Sequence, residues 1–408
     1  MNRKYLLYGM GLANQAVFRF MQKRGIPAKV YSDGDKSDFE NLVEEADIIV
    51  KSPGIFPDTP LLQLAKKLGK EIIGDLELFY RLKPPGKIIC VTGTNGKTTV
   101  CRLLSEILQT KYRVLLGGNI GIPLFELAEE AADFWIIEAS SYMLSDTLLF
   151  RPNIAIVLNL FLNHLDHHGN VEGYYQAKKK ILFNMTEEDF FIYNSSDFLL
   201  SAWASETKAK AVPFSKTEIP ESFLSINPSL IGQHNKANLQ AVITLAKLLN
   251  IPEDSFKTAV QKFSLPLYRL EKVWESNDFI IYNDSKATNP WAAKVALETF
   301  SVVSPPTIWI AGGKKRGDDF GCLKETLKNV QRVYLWGENA EEVASVLRKQ
   351  KIPYCINSDL EQILKEIQRE FTRGVILFSP GAQSFDRFSS FEERGAYFNK
   401  IAKQIFNF

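Results

Sequence analysis

The sequence predicts an α/β protein of three consecutive domains with mainly parallel sheets, and three observations carry that prediction. Short apolar runs alternate with amphipathic stretches, as parallel βαβ units require. The alternation stops twice and restarts. The chain has 408 residues, enough for two or three domains at roughly 150 residues each. Its 49 Lys plus Arg stand against 47 Asp plus Glu, a formal net charge of +2, so bulk positive charge does not favour a nucleic-acid backbone as partner. With 45% hydrophobic and 12% aromatic residues it can build ordinary cores.

In residues 1–85, KYLLYG, AKVYSD and ADIIVKSPGI read as strands. Helices are expected near 13–24, after AKVYSD and over TPLLQLAKKLG. The basic start and the apolar stretch behind it imitate a secretory leader, but Gly9 and Gly11 fit a strand, tight turn and helix better. No run approaches the roughly 18 apolar residues of a membrane span, and a cytoplasmic protein is expected. Pro84, Pro85 and Gly86 make a rigid, non-helical joint. A central domain is expected over 86–265, where KIICVTG, DFWIIEASS and NIAIVLNL are the continuous apolar runs of a sheet covered on both faces. After LPLYRLE a third series, DFIIYNDS, TIWIAGG, RVYLWGE and GVILFSPG, gives a domain over 266–408. Its runs end in Gly, Ser, Asn or Asp at the strand ends where open α/β sheets gather ligands. Cys90, Cys101, Cys322 and Cys355 form no CxxC pair and read as buried reduced thiols.

The sharpest local signal is Gly93-Thr94-Asn95-Gly96-Lys97-Thr98-Thr99, between the strand KIICVT and the helical stretch VCRLLSEILQ. Glycines let backbone N–H groups converge on phosphate oxygens, and the helix N-terminus adds partial positive charge. Lys97 would reach terminal phosphates and Thr98 a magnesium ion. Glu138 ends the run FWII and suits a hard cation. His164 follows IAIVLNL and reads either as a ligand or as an ordinary loop histidine beside His167 and His168. Tyr174, Ala177, Lys178 and Ile181 recur at i, i+3, i+4 and i+7, placing Lys178 on an apolar helix face. Such a lysine either snorkels or is desolvated into a neutral amine able to take up carbon dioxide as an anionic carbamate. YGMGLANQAV near the N-terminus gives GxGxxN, a weak dinucleotide fingerprint.

Taken in order, these segments resemble the Mur ligases, ATP-dependent amide-forming enzymes of peptidoglycan precursor synthesis. GTNGKTT is similar to their phosphate loop, and EASS at 138–141, NHLDHHG at 163–169, YYQAK at 174–178 and GQHNKAN at 232–238 to successive central-domain signatures. SPGI at 52–55, GDLELF at 74–79, GGNIGIP at 117–123, YNDSKATNP at 282–290, AGGKKRGDDF at 311–320 and SPGAQSFDRFSSFEERG at 379–395 resemble the branch that adds D-glutamate to UDP-N-acetylmuramoyl-L-alanine. The likeness runs over nearly the whole chain.

The resemblance implies Rossmann-like N-terminal and C-terminal domains flanking a central P-loop ATPase-type domain. ATP would be held by Gly93, Thr94, Asn95, Gly96, Lys97, Thr98 and Thr99, with Asn235, Asn238, Arg269 and Asp284. Two Mg2+ ions would be served by Thr98, Glu138, His164 and Lys178 as its carbamate. Gly11, Leu12, Asp33, Ser52, Pro53, Gly54 and Asn119 would hold the UDP-muramoyl substrate, and Lys286, Thr288, Ser384 and Phe385 would hold D-glutamate. Lys97, Glu138, His164 and Lys178 form the implied catalytic set. The third domain is expected to close about a joint near 264–267, and a monomer is expected. Asn163, Met143 and Tyr268 stand where the family usually has Asp, Gln and His. Competing readings are an oxidoreductase using the GxGxxN turn, a nucleotide switch, and a sister ligase or folylpolyglutamate synthase-like enzyme. No NKxD-type base-reading motif supports the switch, and NDSKATN argues against the sister ligases.

Overall fold

The computed structural model of the chain describes residues 3–35, 38–119, 121–161, 165–215, 227, 230, 233–301 and 305–407. Residues Met1–Ile226 and Ala237–Phe263 form one compact unit, and Asn227–Lys236 with Ser264–Phe408 form a second.

The first unit carries two sheets. In the N-terminal one, β1 (Tyr5–Tyr8), β2 (Ala28–Tyr31), β3 (Ile48–Lys51) and β4 (Glu71–Ile73) lie in the order β2-β1-β3-β4, all pairs parallel. The first helix, Leu12–Lys23, starts directly after the Gly9–Gly11 turn, and Gly9 takes the φ of +76° that such a turn needs. Pro60 begins the helix Pro60–Lys67 behind the N-cap Thr59, a position where its missing N–H costs nothing.

The central sheet has β5 (Lys87–Thr92), β6 (Val114–Gly118), β7 (Phe134–Glu138), β8 (Ile154–Val157), β9 (Phe190–Asn194) and β10 (Lys210–Phe214) in the order β10-β9-β8-β5-β7-β6. Every pair is parallel. β7 and β8 are buried along their whole length, as their unbroken apolar sequences require. The chain fills one side of β5 with β6 and β7 and then crosses to β8, β9 and β10 on the other, so the carboxyl end of β5 lies at a topological switch point. The Pro84-Pro85-Gly86 joint is non-helical. Gly86 has φ +101°, and a Cβ there would meet the Ala132 carbonyl at 2.1 Å.

The second unit holds β11 (Glu271–Glu275), β12 (Phe279–Asn283), β13 (Thr307–Gly312), β14 (Val330–Trp336), β15 (Tyr354–Ile356) and β16 (Gly374–Phe378), ordered β11-β12-β16-β13-β14-β15. Only β11 is antiparallel to its neighbour. Two apolar layers cover this sheet, one built on Trp309, Leu335 and Leu347, the other on Ile310, Phe378 and Phe398. Among the described residues no helix is long and apolar enough to cross a membrane. All four cysteines are free; Cys90 and Cys101 are buried as expected, whereas Cys322 and Cys355 are only half-buried.

Candidate active site

The glycine loop follows β5 and feeds the helix Lys97–Leu108, the strand, loop and helix that phosphate binding requires. Gly96 at φ +88° is the residue just before that helix. A Cβ on it would lie 2.3 Å from Asn238 Oδ1, so only glycine fits between the loop and the helix Gln233–Leu248. Asn159 holds the loop from the other side: its Oδ1 accepts from the Asn95 N–H at 2.9 Å, and its Nδ2 donates to the Asn95 carbonyl at 3.1 Å. Thr94 donates its N–H to the Asn159 carbonyl, and its hydroxyl lies 3.0 Å from the Tyr174 hydroxyl. The sequence reading passed over Asn159, although it stands where the apolar run of β8 ends. Lys97 Nζ donates to the Gly93 and Thr94 carbonyls at 2.9 Å each. Thr99 is fully buried.

Glu138, at the end of β7, is buried; it accepts from Thr98 Oγ1 at 2.9 Å and from Asn119 Nδ2 at 3.0 Å. The structure thus brings together Lys97, Thr98, Asn119 and Glu138, residues from separate segments. Lys178 joins them. It lies on the helix Val171–Lys179 with Tyr174 and Ala177, and all three are buried. Its Nζ donates to the Gly93 carbonyl at 3.0 Å and approaches Thr92 Oγ1 at 3.3 Å, 5.0 Å from the Tyr174 ring centre. Burial pushes this amine well below the usual lysine range, the Lys97 charge pushes the same way, and Glu138 opposes both. Lys178 therefore does not snorkel, whereas Lys179 pairs with Glu206 at the surface. His164 and Asn163 lie outside the described residues.

Among the described residues no cluster of three or more His, Cys, Asp or Glu could hold a metal by itself. The donors that do converge, the Thr98 hydroxyl and the Glu138 carboxylate, are hard oxygens beside a phosphate loop. That set fits magnesium, which binds through one or two protein oxygens together with substrate phosphates and water.

In the N-terminal sheet, Asn14 Nδ2 donates to the carbonyls of Tyr8, Gly9 and Val50 and so fixes the turn after β1. A Cβ on Gly11 would lie 2.8 Å from Ser52 Oγ, so the 9–12 turn and the 52–54 loop are neighbours. Leu12 is exposed. Asp33 Oδ1 accepts from the Tyr8 hydroxyl at 2.7 Å, and burial pushes the Tyr8 phenol up to about 12.

In the second unit the segments after β12, β13 and β16 meet. Asp284 after β12 is buried; it accepts from Ser379 Oγ at 2.7 Å and from the Leu270 N–H at 3.1 Å. Burial pushes its carboxyl up to about 6, against the pull of Arg269. Arg269 sits between Tyr268 and Leu270, both left-handed at φ 62° and 44°, a strained backbone held in place by packing of the Tyr268 ring on Gly395. The Lys286 ammonium lies 5.3 Å from the Phe391 ring centre. Thr288 is half-buried, Ser384 buried and Phe385 exposed. Arg394, which the sequence reading did not single out, is fully buried and binds Ser285 Oγ, the Ser285 carbonyl and the Ala382 carbonyl. It ties the 284–286 segment to the 382–384 segment. Asn235 and Asn238 are both buried and lie one turn apart in the helix Gln233–Leu248. Met143 is a core residue.

A phosphate loop between a buried strand and its helix, packed against a buried carboxylate and a buried lysine, places this centre in the class of P-loop nucleotide-binding α/β proteins. The family model described as Mur ligase middle domain matches residues 91–223, and the one described as Mur ligase, glutamate ligase domain matches 268–381. The chain is 36% identical to the UDP-N-acetylmuramoylalanine–D-glutamate ligase of Natranaerobius thermophilus, covering 89% of this chain and 85% of that protein. It is 34% identical to the protein of that name from Aquifex aeolicus, with 98% of each covered. Among solved structures, the MurF ligase of Thermotoga maritima in complex with ADP superposes with a TM-score of 0.64 at 17% identity, over 88% of this chain and 95% of that one. The UDP-N-acetylmuramate-alanine ligase MurC of the same organism gives 0.59 at 18% identity, over 99% of each chain. The chain belongs to the Mur ligase family.

Proposed function

We infer that this chain is the D-glutamate-adding member of the family: an ATP-dependent ligase that joins UDP-N-acetylmuramoyl-L-alanine to D-glutamate in peptidoglycan precursor synthesis. The observation that carries the reading is the identity of 31–36% to relatives of that name over most of the chain, joined to a phosphate loop packed against Glu138 and Lys178.

The chemistry follows from the side chains. The substrate carboxylate attacks the γ-phosphorus of ATP, giving an acyl phosphate and ADP. The D-glutamate amine then attacks the acyl carbon and expels phosphate. Anions must approach anions, so the site needs positioning and charge neutralisation rather than a covalent protein intermediate. Lys97 would exchange its bonds to the Gly93 and Thr94 carbonyls for phosphate oxygens. Thr98 and Glu138 would hold magnesium, which when bound neutralises phosphate and carboxylate oxygens. Burial favours the neutral amine that carbamylation of Lys178 requires, and as a carbamate it would offer oxygens to a second magnesium ion. His164 is assigned to the same second ion. Gly11, Leu12, Asp33, Ser52 to Gly54 and Asn119 are assigned to the UDP-substrate. Arg269, Asp284, Asn235 and Asn238 are assigned to ATP, and Lys286, Thr288, Ser384 and Phe385 to D-glutamate. We assign these tasks to domains over 1–85, 86–265 and 266–408, in a cytoplasmic enzyme.

The test is ADP release from the purified protein with ATP, magnesium and UDP-N-acetylmuramoyl-L-alanine, offering amino acids in turn. Release that requires D-glutamate is expected. Release with L-lysine or L-alanine instead would move the chain to a sister activity.

A further inference from the structure

We propose that Lys51, Asp146 and His167 are positioning residues for the UDP-muramoyl substrate, fastening the loop that cradles it to the layer that carries the phosphate site. The proposal rests on the assignment of residues 52–54 to that substrate.

The loop leaves β3 at Lys51 and turns at once, the Ile55 N–H donating to the Ser52 carbonyl at 3.0 Å. The Lys51 side chain is only 3% exposed. Its ammonium reaches Asp146 Oδ2 at 2.8 Å and donates to the Ile55 carbonyl at 3.0 Å. One cation therefore ties both ends of the loop to the residue that follows the central helix Ser141–Ser145. His167 reaches the same carbonyl. Its Nε2 lies 3.2 Å from the same Ile55 carbonyl, and a carbonyl can only accept, so Nε2 carries the proton. The His167 ring packs on Phe56 at 5.3 Å and on Tyr142 at 4.2 Å.

Ile55 transmits this to the other half of the substrate cradle. Its side chain lies 2.9 Å from where a Cβ of Gly9 would stand, in contact with the turn that opens the first helix, while Ser52 borders Gly11. Moving Ile55 thus moves both the 9–12 turn and the 52–54 loop. Beyond Asp146, the ammonium donates to the Ile55 carbonyl and approaches that of Ser52 at 3.5 Å, so its bonds fall on the loop itself. Burying Lys51 without Asp146 would strand a charge, which is why the two occur together.

Steady-state kinetics test this. Lys51→Met should raise KM for UDP-N-acetylmuramoyl-L-alanine tenfold or more and leave KM for ATP and D-glutamate within twofold. His167→Ala should raise the same KM about threefold to fivefold, and His167→Gln, whose amide N–H can still reach the Ile55 carbonyl, should restore it to within twofold. The double variant Lys51→Met/Asp146→Leu removes both charges, so it should recover folding yet keep the raised KM; it carries the test if Lys51→Met does not fold. Unchanged KM for the UDP-substrate in the double variant, or an equal rise for ATP, overturns the inference. Failure of the functional reading looks different: wild-type protein would show no D-glutamate-dependent turnover. Calorimetric titration with UDP-N-acetylmuramoyl-L-alanine needs no turnover, and equal affinity of wild type and double variant there also overturns the proposal.

Discussion

Glu77 is the residue whose loss should cost the first unit most. Its side chain is fully buried on the helix Asp75–Arg81, yet its carboxylate serves a different segment. Oε2 accepts from the N–H groups of Leu148, Leu149 and Phe150 at 2.9, 3.0 and 3.0 Å, and Oε1 accepts from Leu149 N at 3.1 Å and Arg81 Nε at 2.8 Å. Glu77→Ala would leave three backbone donors, that of Phe150 buried and those of Leu148 and Leu149 part-buried, and part of a guanidinium unmatched. Each unsatisfied donor costs about 1–3 kcal/mol. Allowing for water entering the gap, the expected loss is about 4 kcal/mol, comparable with breaking a buried ion pair. At roughly 2–4 °C per kcal/mol for a unit of this size, the melting temperature should fall by about 8–16 °C. Glu77→Gln should recover less than half, because its amide NH2 must face donors. Thermal unfolding followed by calorimetry and circular dichroism reads both. A Glu77→Ala protein melting within about 3 °C of wild type would refute the view that this carboxylate joins the N-terminal and central layers.

Gly96→Ala should weaken ADP binding at least tenfold by calorimetry, since a left-handed alanine costs roughly 1–2 kcal/mol and its methyl would displace Asn238; binding within twofold of wild type would contradict this. Lys286→Ala should raise KM for D-glutamate tenfold or more while KM for ATP stays within twofold, and an equal rise in both would remove Lys286 from the amino-acid site. Asp75 is buried, and burial pushes its carboxyl up to about 6 with Asp146 adding to the rise. A raised folded-state pKa means that stability present below about pH 4 is lost as pH climbs through about 6, at most about 3 kcal/mol. Asp75→Asn should therefore melt progressively higher relative to wild type from about pH 4 to about pH 6 and then level off, and a constant difference from about pH 4 to about pH 6 would refute the assignment.

What the sequence made legible was local. GTNGKTT announces itself because strand, glycine loop and helix adjoin in the chain, and Lys178 because its face repeats at helical spacing. What it hid was distant: Asn159 meets Asn95 across 64 positions, Glu77 meets Leu148 across 71 and Arg394 meets Ser285 across 109. The buried lysine of β3 reads as part of an apolar strand until Asp146 is placed beside it. The edge strands β4 and β15 have three residues each, too few for a period to emerge. The antiparallel β11 carries Lys and Glu beside Val and Trp and so lacks the unbroken apolar run that marks β7, β8 and β16.

The central claim is that the UDP-substrate carboxylate attacks the γ-phosphorus before the amine arrives. Turnover with that carboxylate labelled with oxygen-18 tests it most directly: one labelled oxygen should appear in the released phosphate for each amide formed. Unlabelled phosphate, with the label retained in the amide product or lost to water, would contradict an acyl phosphate and the account of the site built on it.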